Sequence, residues 1–178
     1  FSKQEGWVDG PADLDIISAR PHSMGGPDIG FAPYIESQFH VKTQEDSARR
    51  ILELLQNSKS SLRLILAHNG PSGLGSFPRD IWGCDFDPDR GDFGDPDLES
   101  ALGQAVDTDW APQVVLAGHM HHALKGGGER TWYVNRNGIH YVNAARVPRI
   151  FRENGEKRRH HVRIELDRTD VQVEQIYW

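Results

Sequence analysis

Three histidines fall within four residues at His119-Met120-His121-His122, directly after the apolar run Val114-Val115-Leu116-Ala117 and Gly118. In an extended chain residues i and i+2 face the same side, so His119 and His121 can present imidazoles to one site while Met120 points away. Neutral imidazole is the commonest protein ligand for transition metals. A surface turn with incidental histidines has the same pattern, and the motif alone leaves both readings open. A further histidine, His68, follows a second apolar run, Leu62-Arg63-Leu64-Ile65-Leu66-Ala67, and opens the turn Asn69-Gly70-Pro71-Ser72-Gly73-Leu74-Gly75. Three nitrogen ligands can hold a metal alone. A hydrolytic two-metal site also needs carboxylates to bridge the ions.

The elements that must position these histidines are legible from periodicity. The runs at 62–67 and 113–117 read as buried strands, and a right-handed crossover between them would bring their ends side by side. Open α/β sheets bind ligands outside the carboxyl ends of such strands. Residues 14–18 read as a short strand and residues 1–13 as loop. Residues 20–33, rich in Gly and Pro, read as turns. Thr43 to Asp46 is a capping signal, followed by Ala48, Ile51, Leu52 and Leu55 at helical spacing. Asp95-Pro96 predicts a second helix start, with Asp95 as the cap, Pro96 in the first turn and Asp97 and Glu99 behind it. After the histidines the pattern turns to antiparallel strands around Asn137-Gly138 and Asn154-Gly155, read as a β-meander.

The chain has 178 residues, which predicts one domain spanning 1–178 with a core of its own. A net charge of −6 argues against broad electrostatic binding to nucleic acid. The single cysteine, Cys84, forms no intramolecular disulfide and suits a reducing compartment. No apolar run is long enough to span a membrane, and no signal peptide is visible. The chain opens on Phe1, which points to a processed product or a fragment.

Four stretches together carry a family resemblance: His68-Asn69-Gly70-Pro71-Ser72-Gly73-Leu74-Gly75 after Ala67, Gly91-Asp92-Phe93-Gly94-Asp95-Pro96-Asp97-Leu98, Gly118-His119-Met120-His121-His122, and Asn143-Ala144-Ala145-Arg146-Val147-Pro148-Arg149. They resemble the calcineurin-like metallophosphoesterases, in the branch found in cyanobacteria and plant plastids. The resemblance extends from about Ile16 onward. It implies an α/β fold with layered α and β elements, the C-terminal half of a four-layer αββα sandwich with mixed sheets. It implies two divalent transition metals (Mn, Fe or Zn), with His68 and His119 on one and His121 on the other. Asn69 would lie close to the site. Arg146 and Arg149 could contact substrate phosphate through paired donors.

The family's Asp-x-His, bridging Gly-Asp and Gly-Asn-His motifs belong upstream, and this chain lacks them. Gly91-Asp92 imitates the Gly-Asp motif but follows His68, and we read it as a loop leading to the helix start. The catalytic residues are therefore expected in an N-terminal half, which is also the expected partner unless another subunit replaces it. Loss of that half would expose one face and edge of the sheets. Two functions follow. One is a metal-dependent phosphoesterase acting on a phosphorylated substrate, complete only with its N-terminal half. The other is an inactive subunit of that fold within a larger plastid assembly. The compartment implied is the plastid or chloroplast stroma, or the cytoplasm.

Other residues read as structural. His122 should face away from His121. His22 and His40 read as surface loop residues and His140 as a strand residue. The run Lys157-Arg158-Arg159-His160-His161 reads as a solvated hairpin.

Overall fold

The computed structural model describes residues 2–5, 13–20 and 23–178. Two sheets are formed. The larger has the order β1-β2-β3-β4-β6-β5, from β1 (Ser2–Glu5), β2 (Leu14–Ala19), β3 (Leu62–Ala67), β4 (Val114–Ala117), β5 (Tyr133–Arg136) and β6 (Ile139–Asn143). Strands β2, β3, β4 and β6 are parallel, and β1 and β5 close the two edges antiparallel. The smaller sheet is a meander of β7 (Ile150–Glu153), β8 (Glu156–Leu166) and β9 (Val171–Tyr177). The chain is thus a mixed α/β protein, with α1 (Ala32–Phe39), α2 (Gln44–Gln56) and α3 (Pro96–Ala105) between strands.

Local chemistry explains most of these elements. The Thr43 hydroxyl accepts from the Asp46 amide, and the Asp46 carboxylate accepts from the Thr43 amide, a full capping box for α2. Asn137-Gly138 and Asn154-Gly155 all lie at positive φ, as two-residue hairpin turns of the right twist require. Ala48, Ile51 and Leu55 of α2 and Leu98, Ala101 and Ala105 of α3 are buried. They join Ile17, Ile65 and Val115 from one face of the sheet in a single core.

The other face of the sheet is partly open. Leu14, Ile16, Leu64 and Leu116 are half-buried and Leu66 is 44% exposed, while Val114 and Val142 on the same face are buried. Among the described residues no helix is long and apolar enough to cross a membrane.

The structure corrects the sequence reading in three places. Ser2–Glu5 is a strand, not loop, because it finds a pairing edge on β2 that no local pattern announces. Helix α1 lies at the end of the Gly- and Pro-rich stretch. It starts and ends on left-handed residues, Phe31 and His40, without a side-chain cap, and buries only Ile35. Strands β5 and β6 do not belong to the meander. β6 pairs parallel with β4 across the whole of that strand, from Val114↔His140 to Ala117↔Asn143, and extends the main sheet. His22 lies outside the described residues.

Candidate metal centre at the strand ends

The parallel pairing Leu66↔Leu116 sets the carboxyl ends of β3 and β4 side by side. The Gly118 amide donates to the His68 carbonyl at 3.0 Å, which carries this alignment one step beyond the strands. His68 and His119 meet there. His68 Nε2 lies 2.8 Å from His119 Nδ1, with ring centroids 4.7 Å apart.

The chain is not extended at this point, as the same-side spacing of His119 and His121 had assumed. β4 ends at Ala117, His119 has φ +66, and the Met120 amide donates back to the Gly118 carbonyl at 2.8 Å. A positive φ on a residue other than glycine is costly and is kept where the surroundings over-determine it. Here the surroundings are tight. Phe93 stacks on the His119 ring at 5.9 Å and 15°. On another side the backbone of Gly25 comes so close that a Cβ there would sit 2.7 Å from His119 Nε2.

Burial, then the neighbouring imidazoles of His68 and His121, push the His119 pKa down to about 4. Burial also lowers that of His68. Both rings are therefore neutral at pH 7. A neutral imidazole offers one lone pair, the form a metal or a hydrogen-bond donor can use.

His121 is exposed, and it lines the same cavity of about 470 Å³ as His68 and His119. Its imidazole does not join the close pair. No group of three His, Cys, Asp or Glu side chains is poised to hold a metal ion among the described residues. Among the described residues the donor set is nitrogen only, and no carboxylate lines the cavity. The His68–His119 pair fits the nitrogen side of a metal site, and among the described residues the bridging carboxylates of a two-metal site have no counterpart beside it.

The remaining residues predicted for the site lie elsewhere. Asn69 is fully buried, donating to the Phe93 carbonyl at 2.7 Å and to Asp95 at 3.2 Å, and does not line the cavity. The Arg146 guanidinium stacks over Phe151 and Tyr177, at 4.7 and 5.4 Å, and pairs with Glu129 at 3.2 Å. Arg149, three residues on, lines the cavity instead. His122 is buried, its Nε2 2.8 Å from the Asn143 carbonyl. His140 is half-buried between Tyr133 and Asn135. Asp92 holds loop amides, those of Gly73 and Gly94, at 2.7 and 2.9 Å, as a loop aspartate should. His160 is buried, unlike the solvated residue expected in that run; its Nε2 is 3.0 Å from Gln175.

Two positioning residues escaped the sequence reading. Asn143 ends β6 with a fully buried amide that donates to the Met120 and Ile81 carbonyls and accepts from the Ala145 amide. It ties the histidine loop to residues 143–149. Its only signal was its place at the head of the fourth motif. Asp95 is the N-cap of α3, as the sequence predicts, and its carbonyl accepts from the Glu99 amide at 3.1 Å, but its side chain makes no capping hydrogen bond. Its buried carboxylate accepts from Ser23 and Asn69 and pairs with Arg20 at 3.0 Å. Ser23 Oγ also accepts from the Gly25 amide. Asp95 thus holds both the residue that follows His68 and the loop that presses on His119.

Compared with known proteins, the chain matches no family model, no curated protein and no solved structure.

Proposed function

We propose that this chain is the histidine-bearing part of a calcineurin-like metallophosphoesterase of the cyanobacterial and plastid type, built as the C-terminal half of a four-layer sandwich. One observation carries the reading: two neutral imidazoles from adjacent parallel strand ends face each other at 2.8 Å inside an open cavity. His68 and His119 would hold one divalent transition ion and His121 would take part in holding a second. Such ions would supply Lewis-acid activation of the phosphoryl group and of water. This chain's own residues bind and orient: the His119 turn, clamped by Phe93 and Gly25, keeps one imidazole fixed, and the Asn143 loop keeps the cavity wall fixed.

The carboxylate ligands and the general acid would come from a further segment or subunit. The partly open apolar face at Leu14, Ile16 and Leu64, beyond the cavity, supports such a partner, since exposed apolar surface is a mark of association. The plastid stroma is the compartment this reading implies.

A second reading is an inactive subunit of the same fold in a larger assembly. It is favoured by the absence, among the described residues, of any three-donor metal group.

Metal content per chain of the natively purified protein, measured by plasma mass spectrometry beside a His119→Ala variant, separates the two. The enzyme reading expects about two transition ions per chain, metal-dependent hydrolysis of 4-nitrophenyl phosphate, and loss of both in the variant. Metal-free protein in both samples would sink it in favour of the assembly reading.

A further inference from the structure

The cavity at the strand ends has a composition of its own. Among the described residues its titratable lining is His68, His119, His121 and Arg149, with no carboxylate, in a chain of net charge −6. Its floor includes Leu66, 44% exposed, and the half-buried Leu116.

Most guanidinium groups near this end of the molecule are committed. Arg20 pairs with Asp95 and Asp97, Arg130 with Asp85, and Arg146 with Glu129 and two aromatic rings. Arg149 makes no side-chain hydrogen bond or ion pair within the described residues. Its backbone is nonetheless anchored, since its carbonyl accepts from the His160 amide of β8 at 2.9 Å. An exposed cation on a tethered backbone, beside a cavity with no competing acid among the described residues, is a prepared anion receptor. A guanidinium matches the paired oxygens of phosphate better than an ammonium does. The exposed leucine floor beside it would gain from covering by an apolar group. At about 470 Å³ the cavity has the size of small-ligand sites, roughly 300–1,000 Å³.

We infer that this cavity binds phosphate monoesters carrying an apolar body, with Arg149 as the anion-binding residue and the Leu66–Leu116 floor as the selector for the body. The inference deepens the phosphoesterase reading by naming the substrate class and the residue that selects it. Its test needs neither metal nor turnover.

Metal-free protein in chelator would be titrated calorimetrically with phenyl phosphate and with inorganic phosphate. Phenyl phosphate is expected to bind about tenfold more tightly than phosphate. Arg149→Ala should weaken both by about tenfold, with partial recovery in Arg149→Lys. Leu66→Ser, at an exposed position, should weaken phenyl phosphate alone. Arg168→Ala, in the turn before β9, removes the same charge outside the cavity and should match the parent protein. Equal binding to the parent protein and to Arg149→Ala would overturn the anion assignment. Equal affinity for the two ligands would overturn the apolar selection. If this binding pattern holds while the natively purified protein, with any partner it carries, is metal-free and hydrolyses nothing, the phosphoesterase reading fails and the anion site stands.

Discussion

Replacing Arg20 with methionine should destabilise the protein by about 3–5 kcal/mol, the usual cost of removing one partner from a buried ion pair. The Arg20 Nη1 atom lies 3.0 Å from both the Asp95 and the Asp97 carboxylates, whose side chains are 0% exposed. Its Nη2 donates to the Asp28 carbonyl at 2.7 Å. Ser23 and Asn69 donate to Asp95, and Ser47 to Asp97. Two buried acids thus share one cation. Without it, hydrogen bonds from hydroxyl and amide groups alone would have to sustain two carboxylates away from water. Urea denaturation checks the value, and a loss below about 1 kcal/mol would mean that the network reorganises freely.

The same network sets a pH dependence of definite sign. Burial raises the Asp95 pKa to about 6, with the Asp97 charge adding to the rise and Arg20, Asn69 and Ser23 opposing it. A carboxyl whose folded pKa lies above its unfolded value favours folding most when protonated. That contribution is full below an ordinary carboxyl pKa of about 4 and is lost as pH rises through about 6. His119 has the opposite sign. Its folded pKa of about 4 lies below the ordinary value, so its contribution is lost as pH falls from above 6.5 through about 4. A plain stability curve would mix the two. The difference between the parent protein and Asp95→Asn isolates the carboxyl and should change by about 2–3 kcal/mol between pH 4 and pH 7. A flat difference would show that Asp95 is ionised throughout that range.

Gly25→Ala should be the most disruptive single methyl near the histidine pair. Gly25 has φ +80, which an L side chain adopts only at a cost of about 1–2 kcal/mol. The added Cβ would meet His119 Nε2 at 2.7 Å and the Phe93 ring at 2.9 Å. Overpacking of this kind costs a further 1–3 kcal/mol, roughly, and is relieved by moving the softer neighbour. The softer neighbour is the His119 ring, clamped between Phe93 and Gly25. We expect a loss of about 2–4 kcal/mol in stability. We also expect disruption of the His68–His119 contact, read as a change in the imidazole nitrogen shifts by NMR. Unchanged imidazole signals would mean that the loop carrying Gly25, not the ring, takes up the displacement. Gly26→Ala is a useful contrast, since the nearest atoms to the new Cβ would be those of the Phe93 ring, at 3.3 Å, with the same backbone penalty.

Much of the scaffold was legible in the sequence because its causes are local. The capping box at Thr43 and Asp46, the two Asn-Gly turns and the apolar runs at 62–67 and 114–117 each depend on residues a few positions apart. The same local signals placed His68 and His119 at strand ends. Helix α1 and strand β1 were not legible. The first has no side-chain cap, and the second exists only through its pairing with β2.

By itself, then, the sequence determined every strand but β1, the capped helix α2, the start of α3 and the position of two histidines at strand ends, since backbone propensity and short-range hydrogen bonds act within one turn or hairpin. Tertiary structure decided what those histidines meet. Adjacent pairing of β3 with β4 put His68 against His119, 51 residues away, and the close approach of Gly25 and Phe93 holds the His119 turn. It also turned the carboxylate of Asp95, which keeps its N-cap position, into an ion network with Arg20, and gave Arg149 the cavity while Arg146 went to an aromatic pair. These outcomes depend on which distant groups share a buried volume, and no local pattern encodes that.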